Sequence, residues 1–127
     1  MAARVRKAGL GYRGDLITGH ITDSTPWDEL LRRDAGTDPA QWQTIGATLR
    51  RFHGAGAWHA DLNVRNILLD RSGAAWLIDW DRGRLFDDAV DGSDNLKRLR
   101  RSLYKHPPLA RHAPKGWQYL LDGYAAG

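Results

Sequence analysis

Two short apolar runs, Ile67-Leu68-Leu69 and Trp76-Leu77-Ile78, flank Asp70-Arg71-Ser72-Gly73. Asp, Ser and Gly are turn formers, so the segment reads as a β-hairpin. A hairpin returns the chain to the point where it left. The polar loop before it, Trp58 to Arg65, must therefore meet the residues that follow it, from Asp79 onward. Asn66 starts the first strand and Asp79 ends the second, so both lie at the same open end.

Around the hairpin the pattern is mainly helical. Asp38-Pro39 is a cap followed by proline at the first helical position. Trp42, Ile45, Leu49 and Phe52 follow at spacings of three and four, which predicts an amphipathic helix ending at Gly54. Thr22-Asp23-Ser24-Thr25 reads as a break, with Thr25 capping a short helix that begins at Pro26 and turns Leu30 and Leu31 inward. Ser93 or Asp94 can cap a helix with Leu96, Leu99 and Leu103 on one face. A last helix is expected after Pro114, with Trp117, Leu120, Leu121 and Tyr124 inward. Tyr12 to Ile21 mixes β-branched and apolar residues without helical periodicity and reads as a strand. The order is strand, helix, helix, loop, hairpin, helix, helix, an α+β chain.

With 127 residues and 42% hydrophobic composition, one globular domain is expected. No cysteine is present, which excludes a disulfide framework and a cysteine-based zinc site. No apolar run approaches the roughly 20 residues of a membrane span. The basic start, Met1 to Lys7, has no apolar stretch after it and is not a secretory signal. A formal net charge of +4 and a pI near 9.8 permit phosphate-rich partners without selecting one. Nucleic acid fits poorly, because the aromatic residues follow helix-core spacing rather than a stacking platform.

The loop His59-Ala60-Asp61-Leu62-Asn63-Val64-Arg65-Asn66 and the strand end Ile78-Asp79 carry the chemistry. Phosphoryl transfer from ATP needs a group that orients the attacking hydroxyl and accepts its proton. It also needs Mg²⁺ held by hard oxygen ligands. Asp61 suits the first task; Asn66 and Asp79 suit the second. His59 would brace the loop by bonding to backbone near Asp79. His53, His106 and His112 show no metal-ligand spacing and read as surface or packing residues.

The pattern H-x-D-x-x-x-x-N, an apolar hairpin and a terminal Asp resembles the catalytic and metal-binding loops of the protein-kinase-like superfamily. Trp58 to Asp70, Trp76 to Gly83, Asn95 to Leu103 and Tyr12 to Thr18 more narrowly resemble the 3-deoxy-D-manno-octulosonic acid (Kdo) kinase family. The similarity runs over most of the chain. It implies a kinase-like C-lobe, with ATP and Mg²⁺ as cofactors and Kdo-lipid A as acceptor, at the cytoplasmic side of the inner membrane. Asp61 then matches the catalytic aspartate, and Asn66 and Asp79 match the metal ligands. Asn63 stands where protein kinases usually have a lysine near the transferred group, which favours a sugar or small-molecule acceptor. Trp80-Asp81 replaces the Phe-Gly of protein kinases and argues against a mobile switch there.

Two kinase parts are missing from the sequence pattern. Gly9, Gly11 and Gly14 do not make a phosphate-covering loop, because no G-x-G-x-x-G follows a strand. Lys7 precedes the only expected N-terminal strand and has no evident Glu partner. The chain is thus expected to be a single C-lobe over residues 1–127, with residues 1–22 a remnant of the N-lobe and hinge. Taken alone, it is expected to turn over poorly and to expose a strand edge. Lys97, Arg98, Arg100, Arg101 and Lys105 form a basic helix face that could sit on an anionic membrane surface. An aminoglycoside-phosphotransferase-like enzyme and a non-catalytic fragment are the alternatives.

Overall fold

The computed structural model describes residues 2–3, 24–35, 38–80 and 83–127. The expected strand Tyr12 to Ile21 lies outside them, as do Lys7, Gly9, Gly11 and Gly14. The described elements run β1 (Ala2–Ala3), β2 (Ser24–Pro26), α1 (Trp27–Arg32), α2 (Pro39–Gly54), β3 (Ala57–Trp58), a 3₁₀ turn (Val64–Asn66), β4 (Ile67–Asp70), β5 (Ala75–Ile78), β6 (Arg84–Leu85), α3 (Ser93–Tyr104), α4 (Pro107–Ala110) and α5 (Ala113–Ala126). The described fold is mixed α and β, with helices in the majority.

The hairpin forms where its pattern predicts. β4 and β5 pair antiparallel with Ile67 opposite Leu77 and Leu69 opposite Ala75. Strand alternation turns Ile67, Leu69, Ala75 and Leu77 into the core and leaves Leu68, Trp76 and Ile78 half-buried on the other face. Asp70 ties the turn: its carboxylate accepts from the amides of Ser72 and Ala74 and from the Trp76 indole. Its partial burial would raise its pKa, but these bonds and that of the Ser72 hydroxyl outweigh it and hold the carboxyl below its ordinary value.

The hairpin is the centre of a larger sheet, of order β1-β5-β4-β2. That corrects two sequence-based expectations. A strand at Ala2–Ala3 does precede the glycines, and it pairs with β5. Thr25 is no helix cap, because it lies in β2 opposite Leu69. Pro26 ends that strand and is itself the cap position of α1, with no side-chain cap bond. The threonine-proline pair suits an edge strand as well as a helix start, and pairing to β4 decides between them. A second small sheet joins β3 to β6.

Helix α2 begins as its sequence predicts: Asp38 caps it, accepting from the Ala40 amide at 2.9 Å. Trp42, Ile45, Leu49 and Phe52 are buried along one face. For α3 the cap differs. Gly92 holds the cap position, and Asp91, not Ser93 or Asp94, takes the Ser93 amide at 2.9 Å. Helix α5 starts one residue earlier than Pro114, and α4 precedes it unexpectedly.

Helices α2 and α5 cross closely enough to touch backbone to backbone. A Cβ on Gly46 would sit 2.0 Å from the Leu120 carbonyl oxygen, and one on Gly123 would sit 2.1 Å from that of Gln43. Neither carbonyl can move without breaking its helix. Gly46→Ala or Gly123→Ala should therefore cost at least the roughly 1–3 kcal/mol typical of overpacking, despite alanine's higher helix propensity. A urea midpoint equal to that of the parent chain would contradict this close crossing.

Candidate active site

The 3₁₀ turn and the hairpin bring the polar loop and the strand end together. Because Ile67 pairs with Leu77, Asn66 and Asp79 both emerge at the same end of the ladder. Asn66 is buried, and its Oδ1 accepts from the Asn63 amide at 3.2 Å. Asn63 reciprocates, its Oδ1 accepting from the Arg65 amide at 2.9 Å. These reciprocal bonds fix the turn that presents both side chains. Leu62, which in sequence stands within a polar loop, is fully buried and anchors that loop.

Asp79 is exposed and has φ 66°, in the left-handed region that non-glycine residues seldom adopt. Such a conformation persists only where the surroundings impose it, and it clusters at functional sites. Here the flanking contacts impose it. Trp80 stacks on Phe52 at 5.1 Å, its ring lies 4.8 Å from that of His59, and its indole donates to the Leu77 carbonyl. Trp80 is thus pinned.

His59 is the brace. Its Nδ1 accepts from the Asp61 amide at 3.1 Å, so in the neutral ring Nε2 carries the proton and donates to the Ile78 carbonyl at 2.8 Å. One ring thereby joins the residue before Asp79 to the backbone of Asp61. Burial lowers the His59 pKa against the opposing pull of the Ile78 carbonyl and of the Asp79 and Asp61 charges. Asp61 itself is exposed, with Arg98 Nη1 3.4 Å from its Oδ1.

A deeper set of bonds holds this loop, and no local spacing or cap signal in the sequence marks it. Asn95 Nδ2 donates to the His59 carbonyl at 2.7 Å, and its Oδ1 accepts from the His59 amide at 3.2 Å. The same oxygen lies 2.9 Å from His53 Nε2, so that nitrogen is a donor, and His53 Nδ1 accepts from the Tyr124 hydroxyl at 2.7 Å. His53 is buried between α3 and α5, not at the surface. Burial lowers its pKa; the Asn95 bond opposes that and the Arg50 charge adds to it.

Both histidines therefore resist protonation when folded. The unfolded chain takes up protons as pH falls below about 6.5, while the folded chain takes them up only at lower pH. Stability is complete above that pH and is lost below it, by up to about 1.4 kcal/mol per pH unit for each histidine. The urea midpoint should be clearly lower at pH 5.5 than at pH 7.5, and His53→Gln should flatten the dependence. A parent midpoint independent of pH over this range would contradict the neutral assignments.

Among the described residues no group of three or more His, Cys, Asp or Glu side chains could hold a metal. Asn66 and Asp79 supply two hard oxygens, a set that suits Mg²⁺ only when phosphate oxygens and water complete its shell. Beside Asp61 lies a cavity of about 530 Å³, lined in part by Arg32, Arg65, Arg98, Arg101 and Lys105. Of the basic residues grouped in the sequence, Lys97 and Arg100 lie outside that lining, and Arg100 sits 5.1 Å from the Tyr104 ring centre.

A hairpin-borne Asn and Asp thus stand at one end of the ladder, tied through His59 to the loop that carries an exposed Asp. Residues 1–124 match the lipopolysaccharide kinase (Kdo/WaaP) family, and the chain belongs to that family. It is 35% identical over 126 residues to the 3-deoxy-D-manno-octulosonic acid kinase of Photobacterium profundum, covering 98% of this chain and 53% of that protein. It is 42% identical over 106 residues to the protein of that name from Xanthomonas axonopodis pv. citri, covering 83% and 42%. The chain spans about half the length of the curated relatives it matches.

Proposed function

We propose that the chain is the kinase-like C-lobe of a sugar kinase, which transfers the γ-phosphoryl group of ATP to a hydroxyl of the Kdo sugar of the lipopolysaccharide inner core. The observation that carries this reading is the convergence of Asp61, Asn66 and a left-handed Asp79 at one end of the hairpin. The names of the relatives supply the acceptor.

In this reading Asp61 accepts the proton of the acceptor hydroxyl as its oxygen bonds to phosphorus and the bond to the ADP oxygen breaks. Asn63, on the same turn, flanks the transferred group. Asn66 and Asp79 hold Mg²⁺, which neutralises phosphate charge when bound. His59 stays neutral and moves no proton; it keeps Asp61 and Asp79 in fixed relation. Leu68, Trp76 and Ile78, on the half-buried outer face of the hairpin, offer an apolar floor beside the metal ligands. The protein would work at the cytoplasmic side of the inner membrane without crossing it. No described helix is long and apolar enough to span one.

The test uses two proteins: this chain, and a chimera in which it replaces the matched stretch of the Photobacterium profundum relative. Each is incubated with Mg²⁺, γ-labelled ATP and Kdo-lipid A. The chimera should label the Kdo, and the chain alone should turn over poorly. Label appearing on free amino sugars instead would replace this reading with an aminoglycoside-type one. A folded chimera that labels neither acceptor would leave the non-catalytic reading.

A further inference from the structure

The cavity beside Asp61 has a sign. Five cationic side chains line it, Arg32, Arg65, Arg98, Arg101 and Lys105, against two carboxylates, Asp28 and Asp61. Arg98 and Arg101 stand at i and i+3 of α3, and Lys105 at its C-cap continues the same face, so the three project together. That face is fixed to the catalytic loop. Ser102, between them, accepts from the Val64 amide at 3.0 Å while donating to the Leu99 carbonyl at 2.7 Å.

The contact between Arg98 and Asp61 has a chemical consequence. At 3.4 Å, with side chains 52% and 68% exposed, it is a loose ion pair that contributes little to stability. A guanidinium on one oxygen of a general base competes there with the acceptor hydroxyl. Being loose, the pair gives way readily to an anion on the acceptor that lies within one side chain's reach of the reacting hydroxyl.

Resting on the kinase reading above, we infer that Arg98 and Arg101, with Arg65 across the cavity, form an acid-group subsite that binds the carboxylate of the same sugar that is phosphorylated. Two guanidinium forks on one helix face can grip a planar carboxylate with paired hydrogen bonds. Arg98 exchanges Asp61 for that carboxylate and frees Asp61 for the hydroxyl. The basic face thus selects a sugar acid; it is not only a seat on a membrane.

Binding tests this apart from turnover. The chain is titrated with free Kdo, with its methyl ester and with inorganic phosphate, and followed by amide and arginine NMR shifts. Kdo should perturb Arg98, Arg101 and Arg65 and bind at least tenfold more tightly than the uncharged ester. Arg98→Ala and Arg101→Ala should each weaken Kdo binding to the level of the ester. Lys97→Ala, outside the cavity, should not. These exposed substitutions should leave the thermal midpoint unchanged. Equal binding of Kdo and ester, no binding of any probe, or phosphate alone binding at these arginines would overturn the subsite. Failure of phosphate transfer with the ester discrimination intact would instead count against the proposed reaction, and transfer to acid and ester alike would sink the subsite alone.

Discussion

Asp61→Ala in the chimera is expected to lower turnover by about 10²–10⁴-fold, the usual contribution of a positioned general base. Asp79→Ala is expected to be at least as harmful, because it removes the charged ligand proposed for Mg²⁺ and with it the ion that would neutralise phosphate charge. The two should separate kinetically. In the proposed arrangement Asp61 is not a metal ligand, so its loss should leave the Mg²⁺ dependence and the nucleotide KM near their parent values. Asp79→Ala should shift the Mg²⁺ requirement upward. Asp79→Asn isolates charge from backbone geometry, since asparagine also tolerates φ near +60° and keeps an oxygen ligand. It should fall between alanine and the parent. Steady-state rates over a Mg²⁺ titration decide the matter, and parent-like turnover in either alanine variant would overturn the roles assigned here.

What the sequence shows of this site follows from distance along the chain. The hairpin is legible because its two runs and its turn are adjacent, and adjacency places Asn66 and Asp79 at one end with no further information. Helix α2 is legible because Asp38-Pro39 and the apolar spacing of Trp42, Ile45, Leu49 and Phe52 point the same way. The bond from His59 to Ile78 is readable once the hairpin is placed. Asn95 is a different case. It serves His59 and His53, which lie far upstream and come together only when α2, the loop and α3 pack. No period or cap signal marks such a residue. The misread Thr25-Pro26 shows the converse: a strong local signal lost to pairing with β4, which no local window contains. The cavity's positive lining was half visible. The charges of α3 stand in sequence as one run, but only the fold separates Arg98, Arg101 and Lys105 from Lys97 and Arg100.

Asn95→Ala is expected to do the most damage of any substitution that touches neither the substrate nor the metal site. Three polar groups lose their partner at once: the His59 amide, the His59 carbonyl and His53 Nε2. Asn95 is buried, so water reaches these groups only if the packing opens. Leaving one buried group unpaired costs about 1–3 kcal/mol, so a total of roughly 3 kcal/mol or more is expected. That is a large part of the roughly 5–15 kcal/mol available to a domain. The effect should also reach the chemistry, because His59 joins Asp61 to Ile78 and so to Asp79. A shift of about 1 Å in such a loop can cost some 10²-fold in rate. Asn95→Asp separates the two halves of the clamp. Its carboxylate still accepts from the His59 amide and from His53, but nothing donates to the His59 carbonyl. It should also favour the protonated form of His53 and raise that pKa, so the stability lost below neutral pH should shrink. Urea unfolding at pH 7.5 measures the first effect, and hydrogen exchange at the His59 amide locates it. A midpoint within about 0.5 kcal/mol of the parent, the size of an ordinary surface substitution, would mean that the loop is held by other contacts.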